Sequence, residues 1–285
     1  MYKFPIGVIL ESFKLSRSEA IKKAAELGAK GIQMYATNGE NAPENLSGSA
    51  RRALLDEVKS NGLVFSALCG DLGMGFGHKE KNAELIEKSK RIVDLAKDLE
   101  TDIVTTHIGV VPSDPNHDRY KIMQEACFEL ANYADSMNAH FAIETGPETA
   151  LVLKGFLDSL GSTGVAVNLD PANFKMVTGD DPVKAVHTLK KYIVHTHAKD
   201  GIKLNDGNPE YIYQVVHPVP EGFGDIKYFE EVPLGTGSVD FPNYLKALEE
   251  IGYKGFLTIE REVGDNPAAD IKTAFDFLEK TICEN

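Results

Sequence analysis

Short apolar runs alternate with longer segments of helical periodicity along the whole chain. The apolar runs are six to eight residues long and rich in β-branched and aromatic residues, which is typical of buried strands. In chain order they are PIGVIL, KGIQMY, LVFSALC, DIVTTHIG, HFAIET, VAVNLD, YIVHTHA and GFLTIE. Eight strands alternating with eight helices predict an α/β fold with a parallel sheet, and the count favours a single (β/α)8 TIM barrel over an open sheet. We expect residues 1–285 to form one domain.

The predicted helices carry recognisable start and stop signals. The first opens with Ser16 and Glu19, which have the spacing of a capping box, and it ends at Gly28. The seventh runs from about Asp240 to Gly252, with an apolar stripe along one face.

One long irregular region follows the seventh strand, from Gly201 to about Gly237. A loop of this length in a barrel is usually functional or contains a small inserted element. Within it, EYIYQVV has the composition of a short extra strand, and GTGS (residues 235–238) lies where TIM barrels often bind phosphate. A tight turn is the favoured role for GTGS.

Composition narrows the classes of partner. The 285 residues are 42% hydrophobic and 26% charged, with a net charge of −13, which argues against a nucleic-acid partner. No apolar run is long enough to span a membrane and no signal-peptide layout is visible, so we expect a cytoplasmic protein without a membrane partner. Cys69, Cys127 and Cys283 are too widely spaced to indicate a disulfide framework or a thiolate zinc site.

Polar side chains occur at the carboxyl ends of five predicted strands, in the same phase. With a period of two, the inward-facing pairs are Thr105 and His107, Ala142 and Glu144, Asn168 and Asp170, His195 and His197, and Thr258 and Glu260. In a barrel these strand ends open onto one small volume, where unpaired carboxylates would be costly. The carboxylate oxygens of glutamate and aspartate, together with a ring nitrogen of histidine, are suitable ligands for Mn²⁺, Mg²⁺ or Co²⁺. Zn²⁺ is not excluded. The pattern therefore predicts a site for a divalent metal ion.

The two histidines of VHTHAKDG differ in depth. His195 lies about 6 to 7 Å deeper in the barrel than His197, because the two residues are two positions apart along the strand. We therefore expect His197 to be level with the carboxylates at the mouth. His195 is predicted to be a buried residue that supports the site through a hydrogen bond.

Several segments resemble one enzyme family. They are IETG, NLDPANF, HTHAKDG and PLGTGSVDFPNYLKALEEIGYKGFLTIERE. Together they resemble the sugar phosphate isomerase/epimerase family of xylose-isomerase-like TIM barrels, which includes ketose 3-epimerases, hydroxypyruvate isomerases and inosose dehydratases. The resemblance implies that Glu144, Asp170, His197 and Glu260 bind the metal and that the two glutamates are the catalytic acid and base.

Further residues at the mouth are candidates for substrate binding. His107 could bind a substrate hydroxyl or, as an alternative, a second metal, and Glu11 and Lys199 could reach the same volume. Asn173 stands where ketose 3-epimerases have a substrate-binding histidine, and Lys203 stands where they have an arginine. These two differences argue against a simple free-ketose 3-epimerase.

The resemblance implies one divalent ion, with Mn²⁺ favoured, and a small carbohydrate substrate. Proton abstraction next to a carbonyl would give a metal-stabilised enediolate, which is reprotonated in an isomerase or epimerase. Loss of hydroxide on the same site would make a dehydratase of the inosose or dehydroshikimate type. Endonuclease IV shares the barrel and several ligands and is a disfavoured alternative, as is a non-catalytic sugar-binding barrel. The sequence is compatible with a homo-oligomer.

Overall fold

The chain forms a closed barrel of eight parallel strands, and the computed structural model describes residues 2–284. The barrel strands are β1 (Ile6–Ile9), β2 (Gly31–Tyr35), β3 (Val64–Cys69), β4 (Ile103–Thr106), β5 (His140–Glu144), β6 (Val165–Leu169), β7 (Ile193–Ala198) and, after the insert strands β8 (Asp200–Lys203) and β9 (Phe229–Val232), β10 (Leu257–Ile259). The first strand pairs with both β2 and β10, which closes the barrel. The predicted (β/α)8 fold is confirmed.

Helices surround the strands. They are α1 (Arg17–Glu26), α2 (Gly48–Ser60), α3 (Lys79–Asp98), α4 (Asp118–Ser136), α5 (Ala150–Leu160), α6 (Pro171–Asn173), α7 (Pro182–Leu189), α8 (Pro209–Ile212), α9 (Phe241–Glu250) and α10 (Pro267–Glu284). Of these, α6 and α8 are single short turns. Among residues 2–284, no helix has both the length and the apolar character needed to cross a membrane.

Local signals in the sequence account for the helix boundaries. At the start of α1, the Glu19 carboxylate accepts a hydrogen bond from the backbone N–H of Ser16 at 3.2 Å, as the capping-box spacing predicts. At the start of α9, the Asp240 carboxylate accepts from the backbone N–H of Asn243 at 3.3 Å. Glycines with positive φ follow both helices, at Gly28 and Gly252.

The hydrophobic core lies between the strands and the helices. Phe141 and Val167, which face outward from β5 and β6, and Phe156 on α5 are fully buried members of one apolar cluster. The inward positions of the strands include polar side chains, such as Gln33 and Asn168, that are also buried. Because alternate residues of a strand face opposite sides, the apolar face stabilises the barrel while the inner face is free to carry polar groups.

The long region after β7 is an inserted element. Its first and last parts, β8 and β9, pair as an antiparallel two-stranded sheet, with Asp200 opposite Val232. The predicted extra strand in EYIYQVV is wrong, because this segment begins in α8. Asn208 accepts a hydrogen bond from the backbone N–H of Glu210 at 2.9 Å, and Pro209 occupies the first turn, where it favours a helix start.

A buried aspartate fastens the two ends of this insert. Asp200, at the start of β8, accepts hydrogen bonds at 2.9 to 3.1 Å from the backbone N–H groups of Gly201, Gly235, Gly237 and Val239. A Cβ at Gly237 would lie 2.2 Å from an Asp200 carboxylate oxygen. The GTGS segment therefore uses its backbone amides to bind a carboxylate of its own chain, and the role of a turn is supported.

We expect Asp200→Asn to destabilise the protein by about 3 kcal/mol, because the amide nitrogen cannot accept a hydrogen bond and leaves buried N–H groups unpaired. Asp206→Asn is the matched control, because the Asp206 side chain is 98% exposed in the same insert. Its effect should stay below about 0.5 kcal/mol. The measurement is urea unfolding of both variants. Equal stabilities would show that the aspartate does not hold the insert.

Candidate active site

Four ionisable side chains converge at the carboxyl end of the barrel. Glu144 is the last residue of β5, His197 lies near the end of β7, and Asp170 and Glu260 directly follow β6 and β10. One ligand atom from each residue lies within 4.8 Å of every other, and all four residues are buried. Parallel strands bring these positions together because their carboxyl ends meet at one rim of the barrel.

The imidazole lies among the three carboxylates. His197 Nδ1 lies 3.1 Å from Glu260 Oε2, 3.6 Å from Glu144 Oε2 and 3.7 Å from Asp170 Oδ2. Asp170 Oδ1 accepts from the backbone N–H groups of Ala172 and Asn173, at 2.8 and 3.0 Å. The other Asp170 oxygen, Oδ2, is buried without a hydrogen-bond partner among the described residues. A buried carboxylate oxygen is costly unless it is bound, so the donor set fits a divalent metal ion.

The protonation of the cluster reflects its excess of negative charge. Burial alone would lower the pKa of His197, but Glu260 and Glu144 outweigh burial and hold that pKa well above its usual value. Burial raises the pKa of Glu144 to about 7. Burial would also raise the pKa of Glu260, but the cations of Lys199 and His197 hold it well below its usual range. The cluster therefore requires positive charge at its centre.

Two buried amide side chains contact His197 Nε2: Gln33, and Asn168, whose amide nitrogen lies 3.1 Å from it. Gln33 on β2 donates its amide N–H to Thr105 Oγ1 at 3.2 Å, which directs its carbonyl oxygen toward His197 Nε2, also at 3.2 Å. When Nε2 carries the proton that Gln33 accepts, the lone pair of Nδ1 faces the carboxylates. This is the arrangement in which a histidine binds a metal and a polar neighbour fixes its tautomer. Sequence reasoning missed Gln33, although it faces inward on β2 by the same period of two.

His195 is buried below His197, as the depth of the strand predicts. Its ring centroid lies 6.0 Å from that of His197, and the two rings are close to perpendicular. The predicted hydrogen bond from His195 is wrong, because neither ring nitrogen has a partner among residues 2–284. Burial lowers the pKa of His195 well below its usual value, so the ring is neutral. Its contact with the site is packing against the edge of His197.

A cavity of about 800 Å³ opens above the cluster. Of the predicted substrate-binding residues, His107, Asn173 and Lys199 line it. The Asn173 amide donates to Glu144 Oε1 at 2.9 Å, so the residue that replaces the histidine of ketose 3-epimerases contacts a member of the cluster. The fourth, Glu11, does not line the cavity. It lies in a 3₁₀ turn after β1, where its carboxylate accepts from the backbone N–H of Tyr35 at 3.1 Å.

His107 joins two acidic groups at the edge of the cavity. Its Nδ1 lies 3.1 Å from Asp71 Oδ2, and its Nε2 lies 3.6 Å from Glu144 Oε1. Burial would lower the pKa of His107, but Glu144 and Asp71 raise it to about 9. Asp71 was missed, although it belongs to the glycine-rich segment GDLGMGFGH after β3. Tyr213, which the insert contributes, lines the same edge, with its ring centroid 6.0 Å from that of His107.

Lys199 is buried between carboxylates on the opposite part of the wall. Its ammonium lies 3.2 Å from Glu260, 2.5 Å from Glu262 and 3.7 Å from Glu231. Glu231 belongs to β9 of the insert, and its carboxylate also pairs with the Arg261 guanidinium at 2.7 Å. Arg261 points away from the cavity, as strand alternation predicts. The role of Glu262 was missed, because it lies in the loop three residues beyond the end of β10.

Several solved structures have a fold similar to that of this chain. A xylose isomerase domain protein from Planctomyces limnophilus is 25% identical, with a TM-score of 0.80 over 99% of this chain and 98% of that protein. The probable 3-DHS dehydratase AsbF from Bacillus anthracis is 19% identical, with a TM-score of 0.74 over 96% and 98%. A D-psicose 3-epimerase is 16% identical, with a TM-score of 0.72 over 98% and 99%. At these identities the last two show the fold alone.

Curated relatives are matched over part of their length. An uncharacterized protein from Methanocaldococcus jannaschii is 22% identical over 70% of this chain, and the match covers 64% of that protein. The model of the xylose isomerase-like TIM barrels matches residues 21–281, which is most of the chain. The protein therefore belongs to the xylose isomerase-like TIM barrel family.

Proposed function

We propose that this protein is a divalent-metal-dependent isomerase or epimerase that acts on a sugar, a sugar phosphate or a related hydroxy-ketone. The observation that carries the proposal is the buried cluster of three carboxylates around one imidazole, with Asp170 Oδ2 left without a hydrogen bond. The cavity above the cluster is large enough for a carbohydrate. Family membership and the epimerase fold among the structural neighbours support the same conclusion.

Glu144, Asp170, His197 and Glu260 would hold the ion, and their oxygen-rich set favours Mn²⁺, with Mg²⁺, Co²⁺ and Zn²⁺ as alternatives. A bound ion supplies Lewis-acid polarisation of a substrate carbonyl. We propose that Glu144 and Glu260 then act as a pair, one removing the proton next to the carbonyl and the other returning a proton to the enediolate. Return to the same carbon inverts its configuration, and return to the neighbouring carbon moves the carbonyl.

Other residues of the cavity position these two carboxylates and the substrate. The Asn173 amide holds one oxygen of Glu144, and the Lys199 ammonium holds one oxygen of Glu260. Glu260 therefore keeps its second oxygen for the ion or for a proton, whereas Oε2 of Glu144 also accepts a long hydrogen bond from the Asn168 amide at 3.4 Å. His107 lies 3.6 Å from Glu144 and lines the cavity, which supports the proposal that it binds a substrate hydroxyl.

A dehydratase is the second candidate. The same two glutamates could remove a proton and assist the loss of hydroxide, and the fold matches a probable 3-DHS dehydratase with a TM-score of 0.74. An endonuclease IV-like nuclease is disfavoured by the net charge of −13. It is also disfavoured because residues 2–284 contain one candidate metal cluster of four ligands, whereas that nuclease needs a trinuclear site.

We further propose that residues 1–285 act as one domain in the cytoplasm. The three cysteines are unpaired, which suits a reducing compartment.

We expect the purified protein to hold about one divalent ion per chain by elemental analysis, and to exchange substrate hydrogen with solvent deuterium. Glu144→Gln and Glu260→Gln should each reduce exchange by at least about 1000-fold, because an amide cannot accept the proton. Glu279→Gln, on the exposed face of α10, controls for the change of charge. Three zinc ions per chain, or undiminished exchange in both site variants, would contradict the proposal.

We expect the two histidines of β7 to differ in their effect on metal affinity. His197→Asn removes a ligand and should weaken Mn²⁺ binding by at least about 100-fold, whereas His195→Asn should weaken it by less than about tenfold. Calorimetric titration of both variants with Mn²⁺ measures the difference. Similar losses in the two variants would show that the division of roles between the two residues is wrong.

A further inference from the structure

We infer that the substrate is an uncharged polyhydroxylated carbonyl compound, carrying neither a phosphate nor a carboxylate group. This inference rests on the proposed function and narrows its substrate class. It follows from how the charged side chains that line the cavity are paired. Away from the proposed metal ion, a phosphate or carboxylate on a substrate needs a cation or several N–H groups of the protein that are free to bind it.

The lysines of the cavity are already paired with carboxylates. Lys199 is 4% exposed and lies within 3.7 Å of Glu231, Glu260 and Glu262, so its ammonium is surrounded by negative charge. Lys227, at the outer edge, lies 3.2 Å from Glu230. A substrate anion near the cluster would have to displace a carboxylate from Lys199, whereas the Lys227–Glu230 pair is 62% and 49% exposed and holds its lysine only weakly.

The arginine nearest the cluster is also paired. The guanidinium of Arg261 is held by Asp270 at 2.8 Å and by Glu231 at 2.7 Å, and it does not line the cavity. His107 is engaged by Asp71 and Glu144. Thus the buried cationic side chains around the mouth, Lys199, Arg261 and His107, are paired with the protein's own acidic groups.

The backbone amides that precede α9, one of the places where TIM barrels bind phosphate, are occupied as well. Phosphate groups in TIM barrels bind at backbone N–H groups near the last strands and at the start of a helix. Here the N–H groups of Gly235, Gly237 and Val239, which precede α9, donate to Asp200. This carboxylate of the protein takes the position that an anionic ligand would need.

The carboxylates that face the cavity favour hydroxyl groups. Asp71, Glu230, Glu231 and Glu262 line the wall beyond the four residues of the cluster. Carboxylates accept strong hydrogen bonds from hydroxyl donors, and they repel a second anion by several kcal/mol when the two are adjacent. The wall therefore selects for a polyol chain and against an anionic one.

The test uses the full-length chain loaded with Mn²⁺ and a panel of ketoses, each paired with its own phosphate ester and, where one exists, its carboxylate. Solvent-deuterium exchange gives kcat/KM for both members of every pair. We expect the uncharged member of the best pair to exceed its charged counterpart by at least about 100-fold. Equal or higher kcat/KM for a phosphorylated or carboxylated member would overturn the inference and leave the proposed function intact. Exchange with no compound in the panel would count against the proposed function and, with it, against the inference.

A pair of variants tests the cause of this selectivity. Glu262→Gln removes one carboxylate from Lys199 without removing a residue of the cluster, and it should shift the ratio of kcat/KM toward the phosphorylated member by about tenfold. Glu279→Gln makes the same change of charge on the exposed face of α10 and should leave the ratio unchanged. Equal ratios in the two variants would contradict the role assigned to the pairing of Lys199.

Discussion

Three carboxylates and one imidazole share a buried volume in which their ligand atoms lie within 4.8 Å of one another. Carboxylates at this distance repel each other strongly in a low-dielectric surrounding, so they can coexist only if positive charge is placed between or beside them. Within the protein, His197 supplies charge at the centre and Lys199 supplies it at the side of Glu260. A divalent ion would replace the proton on His197 Nδ1 and balance the carboxylates, and the other features of the site are arranged around this requirement.

The end of β7 shows how closely the barrel and the site are linked. Along HTHAKD, residues 195–200, successive polar side chains have different tasks. His195 packs beneath the cluster, His197 enters it, Lys199 pairs with Glu260 from the wall, and Asp200 turns outward to fasten the insert. Alternation along one strand therefore connects the interior of the barrel, the site and the insert that covers part of the mouth. The insert in turn contributes Glu231, which links Lys199 to Arg261 and so returns to the strand end that carries Glu260.

Much of the fold and the central cluster could be predicted from the sequence because both depend on periodicity. Strand alternation assigns Glu144, Asp170, His197 and Glu260 to one face, and the parallel barrel then brings strand ends together without any knowledge of the loops. The same reasoning failed where the chain leaves the regular strand. The carboxylate of Glu11 lies in a 3₁₀ turn and is taken up by the backbone of Tyr35.

A periodic pattern also could not predict the site residues that irregular segments contribute. Glu231 and Tyr213 come from the insert, whose path depends on the Asp200 hydrogen bonds and on the pairing of β8 with β9. The hydrogen bond expected of His195 is missing among residues 2–284, although Asn168, opposite it in the strand register, has an amide oxygen that also lacks a partner. Gln33 is different, since it lies within β2, obeys the strand period and could have been identified from it, whereas Glu262 lies three residues beyond the end of β10.

The central claim is that these four side chains bind one divalent ion, and anomalous diffraction from crystals grown with Mn²⁺ tests it most directly. We expect one anomalous peak per chain, at coordination distance from Glu144, Asp170, His197 and Glu260, with the lone pair of His197 Nδ1 directed at it. A peak bound by other residues, three metal peaks at the barrel mouth, or an empty cluster at saturating Mn²⁺ would contradict the account.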